Sequence, residues 1–183
     1  MNLDHLWAGW RGPYVSGLSG VANAGLSPEP DTVDDHPLDD PERCVFCRIA
    51  ASGPPSADNC VVWRGKTTFA VLNAYPYASG HLLIMPIRHV GAMADLTDTE
   101  GRELWNDIRD AVAALEASYR PEGVNLGANF GKAAGAGIPR HLHFHAVPRW
   151  RGDTNFMTTV AGARVLPETL ADSWTRLHQA WPA

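Results

Sequence analysis

His141-Leu142-His143-Phe144-His145-Ala146-Val147-Pro148 is the stretch on which the reading of this chain turns. Polar and apolar residues alternate there with period two, as in a β-strand, where successive side chains project to opposite faces. The pattern predicts three imidazoles on one face, about 6.6 Å from neighbour to neighbour, with Leu142, Phe144 and Ala146 turned towards a core. One histidine in a strand is ordinarily a hydrogen-bonded structural residue. Three in register point to chemistry, because imidazole titrates near neutrality and serves as nucleophile, proton carrier or metal ligand. Two arrangements fit: two or three of these histidines ligate a catalytic zinc, or one is a ligand and a neighbour stays free as a nucleophile.

Outward from this strand, CVVWR (60–64) and TTFAVL (67–72) read as β-prone runs around a turn at Gly65-Lys66, and HLLIMPI (81–87) as a buried strand. Thr97-Asp98-Thr99-Glu100 carries the capping-box pattern. Leu104, Ile108, Ala111, Val112, Leu115 and Tyr119 then recur at steps of three and four, predicting one long amphipathic helix stopped by Pro121 and Gly123. VNLGANF precedes the Gly-rich loop GKAAGAG, which runs into the triple-histidine strand. A last helix is expected from Pro167, with Leu170, Trp174, Leu177 and Trp181 inward. Strands, one long helix and further strands make an antiparallel α+β domain.

The chain has 183 residues, 45% hydrophobic and 19% charged, enough for one domain with a real core. Fifteen Lys and Arg against 20 Asp and Glu leave −5, which argues against nucleic-acid binding by bulk positive charge. No apolar run approaches the roughly 20 residues of a membrane span, and the first ten residues lack a secretory pattern. Few cysteines and no disulfide framework place the chain in the reducing cytoplasm. Residues 1–42 form an N-terminal extension: an aromatic segment, LWAGWRGPYV, then a Gly-, Pro- and Asp-rich flexible loop. The body runs from 43 to 183.

Cys44-Val45-Phe46-Cys47 has the spacing of a zinc knuckle, and no βαβ pattern surrounds it to favour a redox role. Tetrahedral zinc needs two more ligands. His89, fixed just after the buried strand, is a better third ligand than His5, His36, His81 or His178, and a histidine of the triplet supplies the fourth. Such a closed site is structural. Cys60 stands alone and reads as a small buried apolar residue.

With these residues in view, the chain resembles the histidine triad superfamily of nucleotide hydrolases and nucleotidyl transferases. HLHFHAV matches its signature, and CVFCRIA, AVLNAYPYASGHLLIMPIRHV, GVNLGANFGKAAGAG and HAVPRWRGDTNFM look like the branch related to diadenosine tetraphosphate phosphorylases and hydrolases. The resemblance covers residues 43 to about 180, and more weakly LWAGWRGPYV. It implies that His143 attacks the α-phosphorus of an adenine nucleotide to form a nucleotidyl-histidine, which water or phosphate then releases. It implies that His145 orients the phosphate or the nucleophile, that Asn73 contacts the ribose and that Asn129 binds the α-phosphate. The zinc ligands it implies are Cys44, Cys47, His89 and His141.

Backbone N–H groups of Gly131 to Gly137 are candidates to cradle the anion; Lys132, Arg140 and Arg149 are candidates to offset phosphate charge, though lone basic residues are more often solvated surface. Many triad hydrolases carry Gln, and some phosphorylases Ser, where this chain has Gly137, so the final acceptor stays open between water and phosphate. Members of the superfamily are usually homodimers, and the N-terminal aromatics with RWRGDTNF are the expected contact. Other readings are phosphoramidate hydrolysis, a zinc hydrolase with all three histidines as ligands, or a non-catalytic nucleotide-binding protein.

Overall fold

A computed structural model describes residues 41–154 and 168–182. The N-terminal aromatic segment and its acidic loop, with most of RWRGDTNF, lie outside the described residues. A short helix α1 (Val45–Ala51) comes first, followed by β1 (Val61–Arg64), β2 (Thr68–Leu72) and β3 (Leu82–Pro86). The long helix α2 (Asp98–Tyr119) leads into β4 (Gly123–Gly127) and β5 (Phe144–Arg149), and α3 (Leu170–Ala180) closes the described chain. The five strands form one antiparallel sheet in the order β1-β2-β3-β5-β4. This is the α+β architecture expected, a sheet with one long and one C-terminal helix.

Facing residues in an antiparallel ladder project to the same side. Thr68, Ala70, Ile84, Leu82 and Ala146 therefore share a face, and α2 covers it: the Thr68 hydroxyl donates to the buried carboxylate of Asp107 on that helix. Leu104, Ile108, Ala111 and Leu115 bury as the periodicity requires. Val112 does not join them; it is half-buried and lines a surface groove with Trp105 and Leu126. On the other face lie Phe69, Val71, Leu83, Met85 and His145, the last opposite Leu83.

Helix α2 starts with the capping box read from Thr97 and Glu100 and ends at Arg120, whose φ of 47° is left-handed, one residue before Pro121. The Glu100 carboxylate also takes two hydrogen bonds from Arg88, at 2.8 and 2.7 Å, which hold its pKa down at about 2. Glu100→Ala is expected to cost about 2 kcal/mol by urea unfolding at neutral pH through loss of this cap. A carboxyl depressed in the folded state stabilises above its unfolded pKa and loses that contribution as pH falls towards about 2. The difference between variant and parent should therefore close on acidification across that interval.

Helix α3 begins at Leu170 rather than Pro167, because the Thr169 hydroxyl accepts from the N–H of Asp172 and caps it there. Leu177 and Trp181 bury as expected, whereas Leu170 and Trp174 are only half-buried. Trp174 and His178 have another task. They donate to the carbonyls of Val61 and Val62 at 2.7 and 2.8 Å, satisfying acceptors of edge strand β1.

Candidate active site

The triad does not lie wholly in a strand. Strand β5 begins only at Phe144, so His141 and His143 precede it, and the ladder with β3 stops at Ile84 opposite Phe144. Two bonds draw the chain away: the N–H of Leu142 donates to Val90 O at 2.7 Å, and His141 Nε2–H donates to Pro86 O at 2.8 Å. Even spacing along a pleat is therefore replaced by three separate environments.

His141 is fully buried. Because Pro86 O accepts from Nε2, the lone pair sits on Nδ1, which faces Cys44 Sγ at 3.4 Å and Cys47 Sγ at 3.6 Å. His89 Nδ1 lies 3.3 Å from Cys47 Sγ. The ligand atoms of Cys44, Cys47, His89 and His141 all fall within 4.8 Å of one another, the one such group with three or more ligands among the described residues. Two thiols and two imidazole nitrogens converging on a shared centre fit a tetrahedral metal ion. Carbonyl bonding of the remote His141 nitrogen is the orienting contact that metal-bound histidines ordinarily have. Burial lowers the pKa of His141 to about 4, keeping it in the neutral, ligating form, and pushes the Cys47 thiol up to about 12. The cysteine pair sits on α1, with Cys44 at its N-cap, an element the sequence reading did not identify.

His143 is separate from this cluster. Its Nδ1–H donates to the carbonyl of His141 at 2.7 Å, which puts the other lone pair on Nε2. Burial holds its pKa below the usual imidazole value, so the ring stays neutral. Phe46, between the two cysteines, sets its ring 5.0 Å from that of His143 and 5.4 Å from that of His141. The Cys44–Cys47 segment and the central histidine therefore share a packing contact.

His145 lies 5.1 Å from His143, ring to ring. Its Nδ1 is 2.9 Å from Nε2 of His81, a fully buried histidine that ligand counting had set aside. Only the Gly80-His81 pair opening β3 hints at it in the sequence: Gly80 has φ +80° and a Cβ there would stand 2.7 Å from the Tyr119 ring, so glycine is needed to deliver His81. Tyr77 stacks on His145 at 6.1 Å.

Asn73 Oδ1 accepts from the N–H of Tyr75 at 2.9 Å and its amide faces His81 Nδ1 at 3.3 Å, so the side chain organises the loop after β2. Asn129 makes one long contact to Gly135 O, 3.5 Å. A continuous nest over residues 131–137 does not form: the N–H groups of Ala134, Gly135 and Ala136 bond back to carbonyls of Gly131 and Lys132. Gly137 itself is exposed. Arg149 is paired with Asp153 at 2.6 and 2.8 Å and with Asn125 at 2.8 Å.

An antiparallel sheet of this order, carrying a histidine triplet beside a Cys2His2 group, defines an α+β class of protein. The HIT domain pattern matches residues 55–152, and the chain belongs to that family. It is 44% identical to AP-4-A phosphorylase of Mycobacterium tuberculosis over 68% of this chain and 64% of that protein. It is 33% identical to bis(5'-nucleosyl)-tetraphosphatase [asymmetrical] of Schizosaccharomyces pombe, over 51% of this chain and 50% of that one. A zinc-bound histidine triad family protein from Mycobacterium smegmatis superposes with a TM-score of 0.62 at 26% identity, covering 77% of this chain and 94% of that one.

Proposed function

We propose that this protein cleaves adenine dinucleoside polyphosphates at the α-phosphate through a covalent nucleotidyl-His143, as a diadenosine tetraphosphate phosphorylase or hydrolase. The observation that carries the reading is the Nδ1–H of His143 on the carbonyl of His141, which places the lone pair of the neutral ring on Nε2. That nitrogen forms the N–P bond as the bridging oxygen leaves with the remaining phosphates. The imidazolium so made keeps its Nδ1–H on a carbonyl that stabilises the new charge. His145 donates from Nε2 to a phosphate oxygen. Phosphate or water then breaks the N–P bond and releases ADP or AMP. The names of the M. tuberculosis and S. pombe relatives support this substrate class. A catalytic metal on all three histidines fits poorly, since His143 Nδ1 and His145 Nδ1 are engaged by a carbonyl and by His81.

Zinc is the ion that Cys44, Cys47, His89 and His141 would hold, as a closed structural site tying α1 to the triad. Exposed Trp105, Leu126 and Phe130, at 64, 44 and 51% accessibility, are apolar surface suited to a second copy of the chain, so a homodimer in sedimentation is expected. No described helix is long and apolar enough to cross a membrane; cytoplasmic location remains part of this reading. Incubation with diadenosine tetraphosphate, with and without phosphate, tests the activity. ADP plus ATP formed only with phosphate marks a phosphorylase and AMP plus ATP marks a hydrolase, whereas ADP formed without phosphate means cleavage away from the α-phosphate and overturns the nucleotidyl-His143 step. An acid-labile adenylyl adduct on the protein should accumulate early, and inertness towards every adenylylated compound would remove the activity.

A further inference from the structure

We propose that Asn73 is a positioning residue of this reaction, whose side-chain amide helps fix the tautomers of His81 and His145 so that His145 keeps a proton on Nε2. On the reaction set out above, that proton is the one donated to an α-phosphate oxygen.

The chain of donors can be followed atom by atom. A backbone N–H can only donate, so the Asn73 atom facing the N–H of Tyr75 at 2.9 Å is Oδ1. The amide NH2 is thereby turned towards His81 Nδ1, at 3.3 Å. The N–H of Tyr77 donates to the same Nδ1 at 3.1 Å. With two donors aimed at it, Nδ1 of His81 must carry the lone pair, and its proton sits on Nε2. That proton is given to His145 Nδ1 at 2.9 Å, which leaves the His145 proton on Nε2. Asn73 and His81 are also bridged by their main chains, Asn73 N–H to His81 O at 2.9 Å, so the two residues hold a fixed relation across the loop. His81 is fully buried, and no solvent competes for its nitrogens. Polarity along the relay therefore originates in the β2–β3 loop, and Asn73 supplies one of its two starting donors.

A ribose contact, which the family resemblance implies for this residue, and a role in the relay make different demands on kinetics. Contact with the ribose hydroxyls is lost in binding, and only with a substrate that has them. A relay defect lowers the rate of the chemical step whichever ribose is present.

The test uses the full chain carrying Asn73→Ala. Its substrates are diadenosine tetraphosphate and the analogue lacking the 2′ and 3′ hydroxyls of both riboses. We expect kcat to fall roughly 10-fold on both compounds, the scale of lost orienting contacts, with each KM within about twofold of the parent. Ring 15N spectra of free parent and variant should show the Nε2-protonated forms of His81 and His145 losing population. A loss confined to KM that vanishes with the dideoxy analogue would overturn the assignment, as would unchanged ring spectra. If the parent turns over neither compound, the reaction reading fails on its own, and the ring spectra still decide whether Asn73 sets the tautomers.

Discussion

Replacing His143 with alanine is expected to lower turnover of diadenosine tetraphosphate by on the order of 10⁵-fold, because removing a covalent nucleophile leaves only binding and electrostatic stabilisation. The same variant should retain its full complement of metal. Nδ1 of His143 bonds to a main-chain carbonyl, and the ring contributes no atom to the Cys44, Cys47, His89 and His141 group. Activity and metal content are thus separable at this residue. A zinc hydrolase using the triad as ligands requires the opposite, loss of both together. Metal analysis beside the rate measurement distinguishes them. The neutral state that burial enforces on His143 adds a second signature. Turnover should persist below the ordinary imidazole pKa of about 6.5, since the attacking lone pair is lost only once the ring protonates. A profile that collapses above that value would contradict the environment described.

The residues of the site were legible in the sequence to the extent that their signals are local. Alternation marked β5, the steps of three and four marked α2, and C-x-x-C with a histidine after a buried strand picked out residues whose ligand atoms do lie together in the fold. What was not legible depends on partners far along the chain. Nothing in the spacing of His141 and His143 says that they precede the strand; the cause is the pull of Pro86 O and Val90 O, 55 and 52 positions away in sequence. His81 looked like a spare ligand because its partner, His145, is 64 residues distant. The Gly-rich loop suggested a nest, yet its short-range turns consume several of the N–H groups that a nest needs. Arg149 looked available for phosphate because its pairing with Asp153 is a matter of local loop geometry that composition does not encode.

Cys44→Ser should abolish stoichiometric zinc binding and lower the thermal midpoint by roughly 10 °C, equivalent to several kcal/mol in a chain of this size. Cys44 and His141 are buried, and their ligand atoms lie within 4.8 Å of those of Cys47 and His89. Thiolates in such surroundings are costly alone, as the rise of the Cys47 thiol to about 12 through burial indicates, so the ion is what permits the deprotonated pair. Zinc uptake should accordingly release protons and weaken as pH falls. Loss should also reach His143, because the residue whose Nδ1 faces both cysteines is the one whose carbonyl holds His143. Without the ion His141 keeps its bond to Pro86 O and its ring contacts with Phe46 and His89. A fall in kcat together with the lost zinc is therefore expected, in contrast to His143→Ala, where zinc stays. Cys60→Ser is the control: that cysteine lies outside the cluster, and its replacement should leave zinc content untouched. Full zinc occupancy in Cys44→Ser, measured by metal analysis after exhaustive dialysis, would show that the four residues are not the binding set.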